Sequence, residues 1–305
     1  MKIDKETVKR NEQIYPARTR IEMNDKITKT VFNLNEEVFF KLVNGQKVLG
    51  VDELQSHPKF GTITSYVQIF NSEGAAANEP LNQFDRAVFN VLISQKLSGN
   101  VATTPKVIFR GLTGKIANND FKMYPNQQAA IMRSIIRLMS TTIRVDMTDA
   151  CAKLGYNDGE PLKRTNNIFP CEIIEARVNG QDATVIFFKD DSPLYETASA
   201  KNQILRYDPT WLNAPTISNT PRNIAIKNYL MTRVMEILSH KLTPTLTFKK
   251  IFEKCGLATA GVKAKFDARQ VVIAFFEHLY ESGVISEFDL RRAGNLHQSV
   301  TFLSS

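Results

Sequence analysis

The sequence predicts an α+β fold, mainly helical, in which one structural unit occurs twice behind a partly extended N-terminal arm. Three observations point there. Apolar residues recur at helical spacing in two blocks, within 80–212 and within 213–305, and each block runs out into short alternating stretches of strand type. The order helix, short extended piece, short helix, longer helix, hairpin holds in both. At the same step of that order, Thr104-Pro-Lys-Val-Ile-Phe109 reads like Thr247-Phe-Lys-Lys-Ile-Phe252, a shared T-x-K-x-I-F.

Residues 1–20 are polar and mixed in charge, with no apolar h-region, and do not read as a signal peptide. From Ile27 a loose alternation (ITKTVFNLNEEVFFKLV), and later TITSYVQIF at 62–70, predict short strands or an arm. NSEGAAANEP, 71–80, reads as a linker, so 1–79 stands as an N-terminal segment.

The first unit spans 80–212. LNQFDRAVFNVLISQKL places Phe84, Val88, Val91, Leu92 and Gln95 on one helical stripe, with Asp85 and Arg86 off it, and Gly99 stops the helix. In TTPKVIFRGLTGK, Thr104 is the N-cap and Pro105 the first helical residue. Tyr124-Pro125 opens YPNQQAAIMRSIIRLMS, whose apolar stripe is Ile131, Ile135, Leu138 and Met139, and TIRVDM behind it alternates like a half-buried strand. After the turn-rich GYNDGEPLKRTNN come FPCEIIEARV and ATVIFF, joined by the hairpin signal Asn179-Gly180.

The second unit spans 213–305. Thr220-Pro221 starts a helix that RNIAIKNYLMTRVMEILSHKL continues; TPTL is extended, and TFKKIFEKCGL is a short helix closed by Gly256. KFDARQVVIAFFEHLYESG is a longer helix with the core stripe Val272, Phe275, Phe276 and Leu279. VISEFDL and LHQSVTFL are strands joined by RRAGN.

Composition bounds the chemistry. No apolar run nears the ~20 residues of a membrane helix, which argues against membrane insertion and for a cytoplasmic protein. Cys151, Cys171 and Cys255 are far apart with no CxxC and read as free buried thiols. The four histidines are scattered, so neither a metal nor another cofactor is expected. GLTGK, 111–115, lacks the spacing of a phosphate loop and reads as a helix C-cap. Asp190-Asp191 reads as a solvated turn. No nucleophile elbow or placed base is visible, and the chain is not expected to be an enzyme.

The net charge is +8. Residues 1–79 hold 11 basic and 11 acidic side chains, 80–216 hold 16 and 13, and 217–305 hold 12 and 7. The excess sits in the two repeated units. It fits a polyanion partner, and it also fits ordinary solubility.

Three helices closed by a two-stranded hairpin make the winged-helix variant of the helix-turn-helix, whose last helix enters the DNA major groove. In the first unit that helix carries Asn126, Gln127 and Gln128 at its front, with Arg133 and Arg137 behind, and TIRVDM would be the first strand of its wing. Amides pair with adenine and arginine with guanine in that groove. The expected outward face is Gln127, Ala130, Ser134 and Arg137, so reversing the charge of Arg133 and Arg137 should abolish duplex binding without touching stability. In the second unit Lys263, Lys265, Arg269 and Gln270 gather at the helix front, and Arg291 and Arg292 at the hairpin tip, where a wing meets phosphate or the minor groove. Each feature taken singly is also what a solvated helix face or a polar turn looks like, and winged helices also serve as protein-docking modules.

PRNIAIKNYLMTRVMEIL, TFKKIFEKCGL and FDARQVVIAFFEHLYESGVISEFDL resemble the second winged helix of plasmid-type bacterial replication initiators. PLNQFDRAVFNVLISQKL through SIIRLMSTTIRVDM resembles the first. The likeness covers about residues 80–305 and lies in element order and apolar spacing. It lacks the Leu-Tyr-Glu-Leu-Leu run of the best-known members. The resemblance implies tandem winged helices on repeated origin DNA, with monomer and dimer forms, host replication proteins as partners and no nicking activity. The alternatives are a transcriptional regulator, a winged-helix adaptor in replisome loading and a divergent nuclease.

Overall fold

The structure, a computed structural model, describes residues 16–33, 64–67, 80–117, 122–146, 163–178, 181–240, 242–293 and 296–304. Strand β1 (Arg20–Met23), helix α1 (Lys26–Val31) and strand β2 (Thr64–Val67) come first. Then follow α2 (Gln83–Leu97), β3 (Ala102–Thr103), α3 (Pro105–Thr113) and α4 (Pro125–Ser140). Four strands succeed them: β4 (Thr141–Asp146), β5 (Lys163–Asn167), β6 (Cys171–Val178) and β7 (Gln181–Phe188). α5 (Pro193–Ala200), β8 (Ile204–Tyr207) and a 3₁₀ turn at Pro209–Leu212 lead into the second unit. That unit is α6 (Pro221–His240), β9 (Thr245–Thr247), α7 (Phe248–Lys254), α8 (Val262–Glu281), β10 (Ile285–Ala293) and β11 (Leu296–Ser304). The fold is α+β.

The two units repeat in pairing as well as in order. β3 pairs antiparallel with β7 and β7 with β6; β9 pairs antiparallel with β11 and β11 with β10. In each unit the short strand after the first helix therefore lies against the last strand of the closing hairpin. The T-x-K-x-I-F match has a physical basis. Thr104 Oγ1 accepts from the Val107 amide and Thr247 Oγ1 from the Lys250 amide, each at 3.3 Å, so each threonine caps its short helix. Ile108 and Phe109 are buried in one core, Ile251 and Phe252 in the other, while Lys106 and Lys249 face solvent. Gly114 ends α3 in the left-handed conformation, as a C-cap.

Two cores form, and they meet across the units, since the first takes in Ile224 and Ala225 of α6 and the second Tyr207 and Leu212. The first gathers Val88 and Leu92 of α2, Ile108 and Leu112 of α3, and Ile131, Ile135 and Leu138 of α4. The second gathers Leu230 and Val234 of α6 with Val272, Phe275, Phe276 and Leu279 of α8, closed by Val300 and Phe302 of β11. α2 is buried along its whole first three turns, Asp85 and Arg86 included, against the sequence expectation that these two lie off the packed stripe. The reason is position: α2 packs on α4, on α6 and on β1, so it has no solvent side for them.

The described part of 1–79 is built into this body. β1 pairs with β8, and Arg20 donates to the Ala87 carbonyl at 2.7 Å and to Asn228 Oδ1 at 3.0 Å, which ties α2 to α6. Glu22 accepts from Arg20, Asn90 and the Tyr207 hydroxyl, keeping the buried charge partnered. Residues 26–31 are helical where loose alternation predicts strand, because Asp25 accepts from the Thr28 amide at 2.9 Å and the Thr28 hydroxyl at 2.6 Å and starts a turn. β2 is the described part of the 62–70 strand. The remaining strands expected within 27–43, most of the 71–80 linker, Cys151 and the Asn179-Gly180 turn lie outside the described residues.

The wing of the first unit differs from the sequence expectation. β4, which holds the described residues TIRVD of the TIRVDM stretch, pairs with β2 and β5 and not with β6 or β7. The closing hairpin of the first unit is β6–β7, and β4–β5 is an insertion between α4 and that hairpin. Alternation showed that β4 is a strand; it could not show its partner.

Candidate nucleic-acid interface

Tyr124 is the N-cap of α4 and Pro125 its first helical residue. Gln127 does not face outward as a free amide. Its Oε1 accepts from the Tyr124 amide at 2.9 Å, closing the helix start, and its Nε2 donates to the Asn219 carbonyl at 2.9 Å, across to the head of the second unit. Asn126 and Gln128 are exposed, as are Ala129 and Arg133. Asn126, Ala129 and Arg133, at i, i+3 and i+7, form the open stripe of this helix.

The expected face of Ala130, Ser134 and Arg137 is inverted. All three are buried. Arg137 Nη2 lies 2.6 Å from Asp85 Oδ1, with Nε at 3.2 Å, and Asp85 has no exposure at all. Burial pushes the Asp85 carboxyl up, and the Arg137 guanidinium and the Asn82 amide pull it back. Arg137 is a structural residue: it compensates an acid held inside α2 and leaves no outward fork for a base. The helical wheel failed because the Ile/Met stripe is not the only buried side. α2 covers a second side of α4.

In the second unit, Lys263 and Gln270 are exposed at the front of α8. Lys265 is partly buried, with Nζ donating to the Ala258 carbonyl at 2.7 Å. Arg269 stacks on the α7 aromatics, 5.0 Å from the Phe252 ring centre and 5.8 Å from that of Phe248. Arg291 and Arg292 are exposed. They belong to β10, with a register shift between them, and not to the turn. Such a shift re-aims a side chain at the end of a ribbon. The structure thus brings Lys263 and Gln270 to one open helix front and places Arg291 and Arg292 on the ribbon of the same unit. Lys265 and Arg269 sit close by but are engaged within it.

Sequence reasoning missed three surface residues. Val262 is 86% and Phe266 53% exposed, one turn apart at the start of α8. Their apolar type argued for core, although they fall off the Val272/Phe276 stripe. Arg222, in the first turn of α6, is exposed and with Arg133 lines a cleft between the units. The signal available was its place directly behind Thr220-Pro221, at a helix start. Asp190 and Asp191 form a surface turn held by Lys96, whose Nζ lies 2.7 Å from Asp191 Oδ1. Burial pushes the Cys171 thiol up to about 12 and Cys255 higher still, so both remain neutral thiols. Among the described residues no helix is long and apolar enough to cross a membrane.

No family model matches the chain, and no curated protein does. Among solved structures, the chain is similar to the crystal structure of domains 2 and 3 of RctB, at 11% identity and a TM-score of 0.36, over 79% of this chain and 86% of that one. A likeness that distant says nothing about this chain's chemistry.

Proposed function

We propose that the chain is a non-enzymatic, sequence-specific double-stranded DNA-binding protein built of two winged-helix modules, and that it acts as a replication initiator of the plasmid or mobile-element kind on repeated origin sites. One observation carries this reading: helix, strand, helix, helix, hairpin occurs twice with the same antiparallel sheet order. That is the arrangement in which a third helix and a ribbon reach a duplex together. α8 then reads a major groove through Lys263 and Gln270, with Arg291 and Arg292 on the backbone. α4 presents Asn126 and Gln128 to a neighbouring groove, with Arg133 on the backbone beside them. A second copy of the chain and host replication proteins are the further partners this role calls for.

The adaptor reading keeps one observation of its own. Exposed Val262 and Phe266 at the front of α8 are what a protein-docking helix would offer. Selecting bound duplexes from a random-sequence pool at low salt separates the readings. Enrichment of directly repeated sites is the expected result; one palindrome would indicate a transcriptional regulator; no enrichment over the starting pool would discard DNA binding in favour of the adaptor. Within an enriched site, Arg291→Glu should weaken binding to all sequences alike, whereas Gln270→Ala should cost about 1–3 kcal/mol and relax preference at one position.

A further inference from the structure

Between the two units lies a cleft of about 470 Å³. Its walls come from the start of α2, the middle of α4, the first turn of α6 and the end of α7 at Gly256. Three of its lining side chains are arginines, Arg133, Arg137 and Arg222, and none is a carboxylate. The three differ in state. Arg137 is spent on Asp85 at the back wall. Arg133 and Arg222 are exposed and have no acidic partner among the described residues. They approach from different units, one on the middle of α4 and one on the head of α6. The helix starts do not themselves supply the site, since Asn82 caps α2 and Thr220 caps α6; they add only the positive end of each helix dipole.

Position gives the cleft its meaning. One wall is α4, the groove-facing helix of the first module, and the opposite wall ends at Gly256, where α7 turns toward α8. A duplex held by both modules has a strand that passes from one to the other, and the cleft opens where the two modules meet. We propose, resting on the DNA-binding reading, that this cleft is a phosphate seat: it takes a phosphodiester of the strand that runs from one module's groove to the next. Arg133 and Arg222 grip that one group from opposite modules. Guanidinium forks match the non-bridging oxygens of a phosphate, and two forks from two modules fix the spacing between them on DNA. The phosphate group of a free nucleotide has the same chemistry.

The test uses the full chain and its selected duplex. Affinity is measured against salt for the native protein, for Arg133→Ala, Arg222→Ala and the pair, and for Arg206→Ala, an exposed arginine outside the cleft. Each single cleft substitution should lower the magnitude of the salt slope by about 1. The pair should lower it no further, since one phosphate is shared, and Arg206→Ala should leave it unchanged. A methylphosphonate scanned through the spacer should reproduce the loss at one position in the native protein and have no effect there in the pair. Unchanged slopes, or losses that add in full, overturn the shared seat while leaving DNA binding intact; absence of duplex binding by the native protein overturns both. Calorimetric titration with ATP and with inorganic phosphate forms the second arm. Binding that both substitutions abolish, beside an unchanged duplex slope, makes a free nucleotide the occupant and rejects the DNA assignment. Both arginines are exposed, so melting temperatures should agree across the set.

Discussion

The third helices of the two units, α4 and α8, are built on one plan and anchored in opposite ways. α4 is held by distant partners: Arg137 by Asp85 of α2, and Gln127 by Asn219 in the approach to α6. α8 is held by its neighbours within the same unit: Lys265 by Ala258, and Arg269 by Phe248 and Phe252. In both helices, part of the polar front that looks available for recognition is consumed by the fold. The contrast shows that a basic side chain on a short helix is first an offer to the nearest unpaired carbonyl, ring or acid, and only what remains unclaimed is offered to a ligand. It also means that damage to α4 should spread between units and damage to α8 should stay local.

The sharpest way to break this contrast is Arg137→Glu. It sets a second carboxylate against Asp85 inside the protein, and breaking a buried pair in this way should cost about 4 kcal/mol of stability. Arg133→Glu, on the open stripe of the same helix, should leave thermal unfolding nearly unchanged. Arg269→Ala, the counterpart in α8, removes a cation–π stack and should cost about 1–2 kcal/mol. Denaturant unfolding of the three variants measures the order. If Arg137→Glu proves as harmless as Arg133→Glu, the interior ion pair is not formed and the original outward face returns.

These same residues mark how far the sequence could be read. The repeat was legible, because a threonine cap, a solvent-facing lysine and a buried Ile-Phe pair are local demands that each short helix makes on its own letters. The hairpins were legible as strands for the same reason. What was not legible depends on partners far along the chain. Arg137 needs Asp85, 52 residues away, to turn inward. β1 needs β8, so residues that look like a loose tail become the brace between α2 and α6. β4 satisfies every local criterion for a wing strand and is claimed instead by β2 and β5. Of the candidate site, Asn126, Gln128, Arg133, Lys263, Gln270, Arg291 and Arg292 keep the exposure that a contact requires. Gln127 and Arg137 do not keep a free outward group.

The glycines behind the two short helices differ in their surroundings. Gly114 after α3 and Gly256 after α7 are both left-handed, at φ +74 and +69. A β-carbon on Gly114 would stand 2.5 Å from the Pro209 carbonyl and 2.6 Å from the Asn213 amide, against the segment that leads to the second unit. One on Gly256 would meet nothing within 4 Å. Gly256→Ala should therefore cost about 1 kcal/mol, the backbone strain alone. Gly114→Ala adds a backbone collision that no rotamer can relieve and should cost about 3 kcal/mol. Equal costs would show that the segment around Pro209 yields freely and that the two units are less firmly joined than these contacts imply.

The smallest expected effect is the most symmetric. Thr104→Ala and Thr247→Ala each delete one cap and should each cost about 1 kcal/mol. The two sites are not equally dry: Thr104 is half-buried and Thr247 exposed. Water can replace the lost oxygen over the Lys250 amide more readily than over the Val107 amide, so Thr104→Ala should be the costlier of the two. Serine keeps the oxygen and drops only the methyl, so Thr104→Ser should recover most of the loss. Thr247 carries a second duty, because it also pairs with Ser299 as the last residue of β9. Alanine there trades a β-branched residue for a poorer strand former, and Thr247→Ser should recover less than its counterpart does. If serine rescues both positions alike, capping alone explains both threonines and strand pairing adds nothing at the second.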